Sequence, residues 1–273
     1  MVRSTMVRTP TERAGAWART AKSMRPTVPA VTTDELIAAA APKIAALGGA
    51  FYFDPKTLAT GKEHGLDGFR FYFLGRGGVM GDVEPNVVVS AFGYFNPALV
   101  DRLWTTGREK LAPPAAAAAY IECCRQFGRE RISDVADLEA FCNAAEAIVA
   151  AVDPAGLTLY AGIAAAPLPD DAPGRAMQLI AVLRELRGSI HLVAVRASGL
   201  TGQIAQFLRR PNDYASFGWG DTAPDVTDED RARLDRAEAL TNDIVGPSFA
   251  VVDDKAADTT VRVLTDIEAA VGS

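Results

Sequence analysis

The sequence predicts an all-α protein built as a multi-helix bundle. Three observations carry that prediction. Apolar residues recur at spacings of three and four through most of the 273 residues. Helix-opening signals repeat along the chain: Thr32-Thr33-Asp34-Glu35, Asp54-Pro55, Asn96-Pro97 and Thr227-Asp228-Glu229-Asp230. Glycine or proline pairs close many of the segments so opened, as at Gly48-Gly49, Gly77-Gly78 and Gly246-Pro247.

The elements follow in order. Thr33 to Leu47 reads as a helix capped by Thr32 or Thr33. Asp54-Pro55 caps a short helix over Lys56 to His64, ended by Gly65. Asp67 starts an aromatic helix that stops at Gly77-Gly78. Glu84-Pro85 opens a segment through Tyr94. Val87, Val88 and Val89 favour a strand on propensity, but the helical neighbourhood argues for a buried helix. Asn96-Pro97 then caps a helix to Trp104, and Pro113-Pro114 starts an alanine-rich one to Phe127. Ser133-Asp134 opens a long helix to Val152. After the turn Asp153 to Gly156, Leu157 to Ala166 is helical, and Pro167 to Pro173 is a loop. The longest pattern runs from Gly174 to Ser198 and stops at Gly199. Gly202 to Arg210 follows, then a loop from Pro211 to Asp225. A helix from Thr227 to Ile244 is broken by Gly246-Pro247, and Ala256 to Val271 is the last. The turn at Asp153-Pro154 divides the chain into two helical halves, residues 31–152 and 153–273.

Composition bounds the function. The chain carries a formal charge of −6. Residues 1–30 hold Arg3, Arg8, Arg13, Arg19, Lys22 and Arg25 against Glu12 alone, a net of +5, so residues 31–273 carry −11. An acidic body repels phosphate backbones, which argues against nucleic acid as a partner. The basic leader reads as a disordered extension, with Met6 as a second start site; a transit peptide is the alternative reading. No run of about 18 uncharged apolar residues predicts a membrane span. Cys123, Cys124 and Cys142 are odd in number and lack framework spacing, which fits free thiols in a reducing cytoplasm.

Gly65 to Pro97 stands out, with seven aromatics and seven glycines. Aromatics bury large areas and line pockets, and glycines let backbones approach. Such a block either packs helices tightly or walls a shaped space. The expected wall is Tyr72, Met80, Phe92 and Tyr94. Gly75-Arg76-Gly77-Gly78-Val79-Met80-Gly81 lacks the preceding strand of a dinucleotide fingerprint and the Gly-Lys-Ser/Thr of a Walker loop, so it reads as a helix end. Asp67, Asp82 and Glu122 are the candidate acid–base carboxylates. Each has a plainer use: Asp67 as a helix cap, Asp82 in a turn, Glu122 on a small-residue face where burial would raise its pKa. On the longest helix Leu183, Arg187, His191 and Val195 share a stripe. Arg187 and His191 there need polar partners, either as a structural pair or as ligand contacts. Gly188 beside them costs about 1 kcal/mol against alanine unless something approaches it closely. Arg76 or Arg187 would hold an anionic group. His64 and His191 are far apart and no His/Cys cluster has ligand spacing, so neither a metal nor a cofactor is expected.

Several stretches resemble an uncharacterised helix-turn-helix-like family common in actinobacteria. They are Phe51-Tyr52-Phe53-Asp54-Pro55, Gly65-Leu66-Asp67-Gly68-Phe69, Gly75 to Gly81, Ala91 to Pro97, Leu186-Arg187-Gly188-Ser189-Ile190-His191, Thr227 to Arg231 and Glu238 to Asp243. The likeness covers about residues 45–250. Ser189 stands where the family usually has an acidic residue. The family's Trp-Thr/Ser-Asp-Glu helix and wing-like turn shrink here to Gly218-Trp219-Gly220-Asp221 and a short loop, as if the DNA-reading element were deleted. The resemblance thus implies a degenerate winged-helix-like C-terminal part.

The leading expectation is a cytoplasmic small-molecule pocket protein of specialised, antibiotic-type metabolism. As an enzyme it would run a metal-free proton transfer, elimination or intramolecular substitution such as ring closure, with a carboxylate base. The alternatives are a ligand-responsive, winged-helix-like transcriptional regulator, or a non-catalytic partner subunit of a pathway enzyme. A protein partner or a second copy is compatible with each.

Overall fold

The computed structural model describes residues 31–272. The basic leader, residues 1–30, lies outside the described residues. Twelve α-helices and no strand occur among those described. They are α1 (Thr33–Leu47), α2 (Pro55–Glu63), α3 (Gly68–Gly77), α4 (Pro85–Ala91), α5 (Pro97–Arg108), α6 (Pro113–Arg131), α7 (Leu138–Ala150), α8 (Thr158–Ala164), α9 (Ala172–Ala197), α10 (Gly202–Arg209), α11 (Asp228–Phe249) and α12 (Asp254–Val271).

The caps explain most of the starts. Thr32 and Glu35 form a reciprocal capping box on α1, as Thr227 and Asp230 do on α11. Asp54, Asp67, Asn96, Asp171, Thr201 and Asp253 each accept a backbone N–H in the first turn of the following helix.

The 26-residue helix α9 is the axis of the bundle, packed against α1, α6, α7, α8 and α11. One core gathers α1, α7, α9, α11 and α12 around Leu36, Phe141, Ile148, Leu183 and Val263. A second is aromatic, with Phe71, Phe73, Phe92, Trp104 and Tyr120 around Met177 and Ala181 of α9. Trp104 is fully buried and its indole N–H donates to the Val83 carbonyl at 3.0 Å. Truncating such a side chain to alanine costs about 3–5 kcal/mol.

The glycines of the aromatic block serve close packing. A Cβ on Gly75 would overlap the Tyr120 ring, and one on Gly78 would overlap the Pro113 carbonyl. Both let α3 and the turn after it lie directly on α6. That turn, a 3₁₀ turn over Gly78–Met80, also packs against α8. It carries Met80 into the aromatic core.

Several boundaries differ from expectation, among them those of α5 and α6, which run on past Trp104 and Phe127 to Arg108 and Arg131. Ser133-Asp134 does not open a helix; residues 133–137 turn, Asp137 adopts φ 60°, and α7 begins at Leu138. Gly246-Pro247 does not break α11, which runs to Phe249. Burial of Val245, Ser248 and Phe249 holds that last turn, offsetting the hydrogen bond that proline removes. The Glu84–Tyr94 segment is helical despite its three valines, but only over Pro85–Ala91. Val88 alone of these seven residues is fully buried, so the valine run never meets a strand partner.

Candidate ligand-binding cleft

A cleft of about 460 Å³ opens beside α9. Aromatic rings of Phe53, Phe69, Tyr72, Phe92, Phe95 and Phe217 line it together with polar side chains of α9 and α10. On α9, Arg184, Arg187, Gly188 and His191 recur at helical spacing and share the face toward the cleft. Arg184 and His191 are about 10 Å apart along the helix axis.

The inner end is built on Glu185. Its side chain is only 5% exposed. Arg76 grips both carboxylate oxygens, through Nε at 3.0 Å and Nη2 at 2.8 Å. Tyr52 Oη donates to Oε1 at 3.0 Å, and Arg184 Nη1 donates to the same oxygen at 3.2 Å. Arg184 also reaches Tyr52 Oη at 2.9 Å and the Ala45 carbonyl at 3.2 Å. Arg76 donates to Tyr72 Oη and lies 4.6 Å from the centre of the Phe92 ring. Burial pushes the Glu185 carboxyl up, but the two guanidiniums and the hydrogen bonds outweigh it, so its pKa lies below the ordinary value. The carboxylate is therefore ionised at neutral pH.

The outer end is built on Glu238 of α11. Arg187 donates to it at 3.0 Å and to Asn242 Oδ1 at 2.8 Å. Arg209 of α10 pairs with the other Glu238 oxygen at 3.0 Å. His191 is buried between them, its Nδ1 2.9 Å from Thr241 Oγ1 and its Nε2 3.7 Å from Glu238. Burial lowers the pKa of His191 to about 4, with the Arg209 and Arg187 charges adding to the fall and Glu238 opposing it. The imidazole is neutral at pH 7.

Of the residues singled out in the sequence, Tyr72, Arg76, Phe92, Tyr94, Arg187 and His191 come together in this cleft. Met80 does not, because its turn faces α6 and α8. Arg187 is part-buried, 23% exposed, and has the polar partners it needs in Glu238 and the Asn242 side-chain carbonyl.

The three carboxylates also need correction. Asp67 caps α3 and pairs with Arg70 at the surface. Asp82 is 64% exposed and reaches Arg108 at 3.4 Å. Glu122 is 52% exposed and lies in a separate groove with Lys56, Cys123 and Glu130. The expected rise of its pKa does not occur, although burial pushes the carboxyl up. Hydrogen bonds from Arg129 and Arg125 outweigh that and hold the pKa below the usual value. The buried carboxylate that lines the cleft is Glu185, with the exposed Asp213 the other lining carboxylate. Glu185 sits on the buried side of α9 among Leu183 and Leu186, the signal already used for Arg187 and His191.

Gly188 gives a second correction. No group approaches it; a Cβ there would meet nothing within 4 Å, because the position opens into the cleft.

The helix-turn-helix family matches residues 37–215, about two thirds of the chain. The chain belongs to this family. No curated protein and no solved structure matches it. The matched span of this helix-turn-helix protein holds the cleft-lining residues from Ile44 to Asp213, while Ser216, Phe217 and the Glu238 that partners Arg187 and Arg209 lie beyond it. Between α10 and α11 no α-helix occurs; residues 211–217 form two 3₁₀ turns instead. Phe217 stacks on Phe95 at 4.1 Å and Trp219 donates to the Tyr94 carbonyl at 2.9 Å, so this segment closes one side of the cleft. Among the described residues no helix is long and apolar enough to cross a membrane.

Proposed function

We propose that this protein binds a small molecule with an aromatic or apolar body and at least one anionic group. One observation carries the reading. Two pairs of arginines that line the cleft each share a single carboxylate, Arg76 and Arg184 sharing Glu185, and Arg187 and Arg209 sharing Glu238, which is not itself a lining residue. Each group of three keeps one unmatched positive charge. The surrounding rings match a flat ligand body, and the volume suits one small molecule. The other pair at the mouth, Arg210 with Asp213 at 3.8 Å, is balanced.

A role in specialised metabolism is part of this proposal and rests on the family resemblance. In the catalytic form of the reading, proton transfer or ring closure would fall to groups inside the cleft and not to Asp67, Asp82 or Glu122.

The test is binding of 2-naphthoate and of its cationic counterpart, 2-naphthylmethylamine, by calorimetry. The anion should bind at least about tenfold more tightly, and the double change Arg184→Ala/Arg209→Ala, which removes the surplus charge at both ends, should weaken it. Equal binding of the two, or preference for the amine, would refute the reading.

Membership of a helix-turn-helix family favours a second reading, a regulator whose ligand occupancy is read by DNA. The acidic composition of residues 31–273 weighs against it. Ligand-dependent, sequence-specific retention of genomic duplex fragments at physiological salt would establish it over the first.

A further inference from the structure

Three buried polar atoms on side chains that line the cleft have no protein partner: Tyr94 Oη, His191 Nε2 and Gln206 Nε2. His191 is 4% exposed and Gln206 6%. Native proteins leave few such atoms unmatched, because each costs about 1–3 kcal/mol. Three in one cleft point to a ligand that completes them.

The hydrogen-bond network says what each atom offers. The Thr241 hydroxyl lies 2.6 Å from the Ala237 carbonyl and spends its one hydrogen there. Its oxygen can therefore only accept from His191, so Nδ1 carries the imidazole hydrogen. In a neutral ring that leaves Nε2 with a bare lone pair. Glu238 cannot satisfy it, since that group is also an acceptor and lies 3.7 Å away. Gln206 Nε2 is a donor. Tyr94 Oη can donate or accept, and burial raises its pKa, so it stays a neutral hydroxyl.

We propose that His191, Tyr94 and Gln206 form a polar subsite for a ligand group that donates an O–H or N–H to His191 Nε2 and accepts from Gln206. A phenol, enol or secondary amide has that chemistry. Together with the surplus arginine charge, the ligand class becomes an aromatic acid bearing a hydroxyl or amide away from its anionic end. This rests on the anion-binding reading above and adds the second end of the ligand. The groups charged or titratable around His191 are Glu238, Arg187, Arg209 and the stacked Tyr94. Beside the two arginines the ring is too weak a base to take the hydrogen as a proton, so the contact is a hydrogen bond that selects the ligand. Thr241 acts as a positioning residue by fixing the tautomer.

The experiment compares 6-hydroxy-2-naphthoate with 6-methoxy-2-naphthoate on the full chain. Both are anions of nearly equal size, and only the first can donate. The hydroxy acid should bind at least about tenfold more tightly, and His191→Leu should abolish that preference. Nitrogen-15 NMR reads the tautomer without any variant, since the chain has two histidines, His64 and His191. At neutral pH the Nε2 of His191 should be unprotonated, and it should shift when the hydroxy acid is added. A protonated Nε2, or equal affinity for the two acids, overturns the subsite and leaves the anion-binding reading intact. Failure of both acids to bind overturns that reading and the subsite with it.

Discussion

Removing Glu185 should be the most damaging single change in the cleft. The side chain is 5% exposed, and the arginines it compensates, Arg76 and Arg184, are 13% and 26% exposed. Glu185→Ala deletes both hydrogen bonds from Arg76, the Tyr52 bond and the Arg184 bond at once. Two enclosed guanidiniums then face each other with no counter-charge. Breaking a buried pair in this way costs about 3–5 kcal/mol, mostly as desolvated charge left uncompensated. With a urea dependence of about 3 kcal/mol/M, the unfolding midpoint falls by more than about 1 M. Glu185→Gln keeps the shape and some hydrogen bonds, so its loss should be smaller, about 2 kcal/mol. Asp82→Asn is the control. Its carboxylate is 64% exposed with one 3.4 Å contact, and the change should stay within about 0.5 kcal/mol. Urea unfolding followed by circular dichroism measures all three. A loss below about 1 kcal/mol for Glu185→Ala, or one no larger than for Asp82→Asn, would refute the assignment of Glu185 as the inner charge anchor.

Gly188→Ala should stabilise the protein by about 0.5–1 kcal/mol, because alanine is the better helix former and no atom lies within 4 Å of its Cβ; Gly188→Trp should fold yet block naphthoate binding. Thermal melts and calorimetry check the pair, and destabilisation by alanine would show that the position is not open. For His191, folding favours the neutral ring, since the folded pKa of about 4 lies below the ordinary 6.5. Its contribution is complete above pH 6.5 and is lost as pH falls toward 4, up to about 3 kcal/mol. Wild type should therefore lose more stability than His191→Leu between pH 7 and pH 4.5 in urea titrations; parallel losses would contradict the buried neutral ring. Arg187→Ala should cost only about 1 kcal/mol, because Arg187 is part-exposed and Glu238 keeps Arg209, and a loss above 3 kcal/mol in the same assay would contradict that sharing.

The helices were legible because caps and stops are local. Thr32, Asp54, Asn96 and Thr227 act within three or four residues of themselves. The misplaced boundaries are those set by distant contacts: burial of Phe249 carries α11 through Pro247, and residues 133–137 turn before α7 although Ser133-Asp134 resembles a cap. The aromatic wall was legible from composition, as were Arg187 and His191 from a polar interruption of an apolar stripe. Glu185 carried the same signal and was hidden by its neighbour Arg184, which makes the pair look like surface charge. Glu238, Arg209 and Gln206 could not be found locally. Gln206 and Arg209 reach the cleft from α10 and Glu238 pairs with its arginines from α11, and their importance lies in groups 15 or more residues away in the chain.

The sharing of each carboxylate between two arginines also bears on how this cleft can change over time. Replacing Arg184 leaves Glu185 held by both nitrogens of Arg76, and replacing Arg187 leaves Glu238 held by Arg209. Neither substitution strands a buried anion. The charge presented to a ligand can therefore be stepped down one unit at a time at either end, independently, while each carboxylate keeps a partner. On the anion-binding reading proposed above, a scaffold wired in this way is mutationally tolerant at these arginines and intolerant at the buried Glu185, while Glu238 is 36% exposed. Ligand preference can diverge among descendants through single arginine losses without passing through an unfolded intermediate.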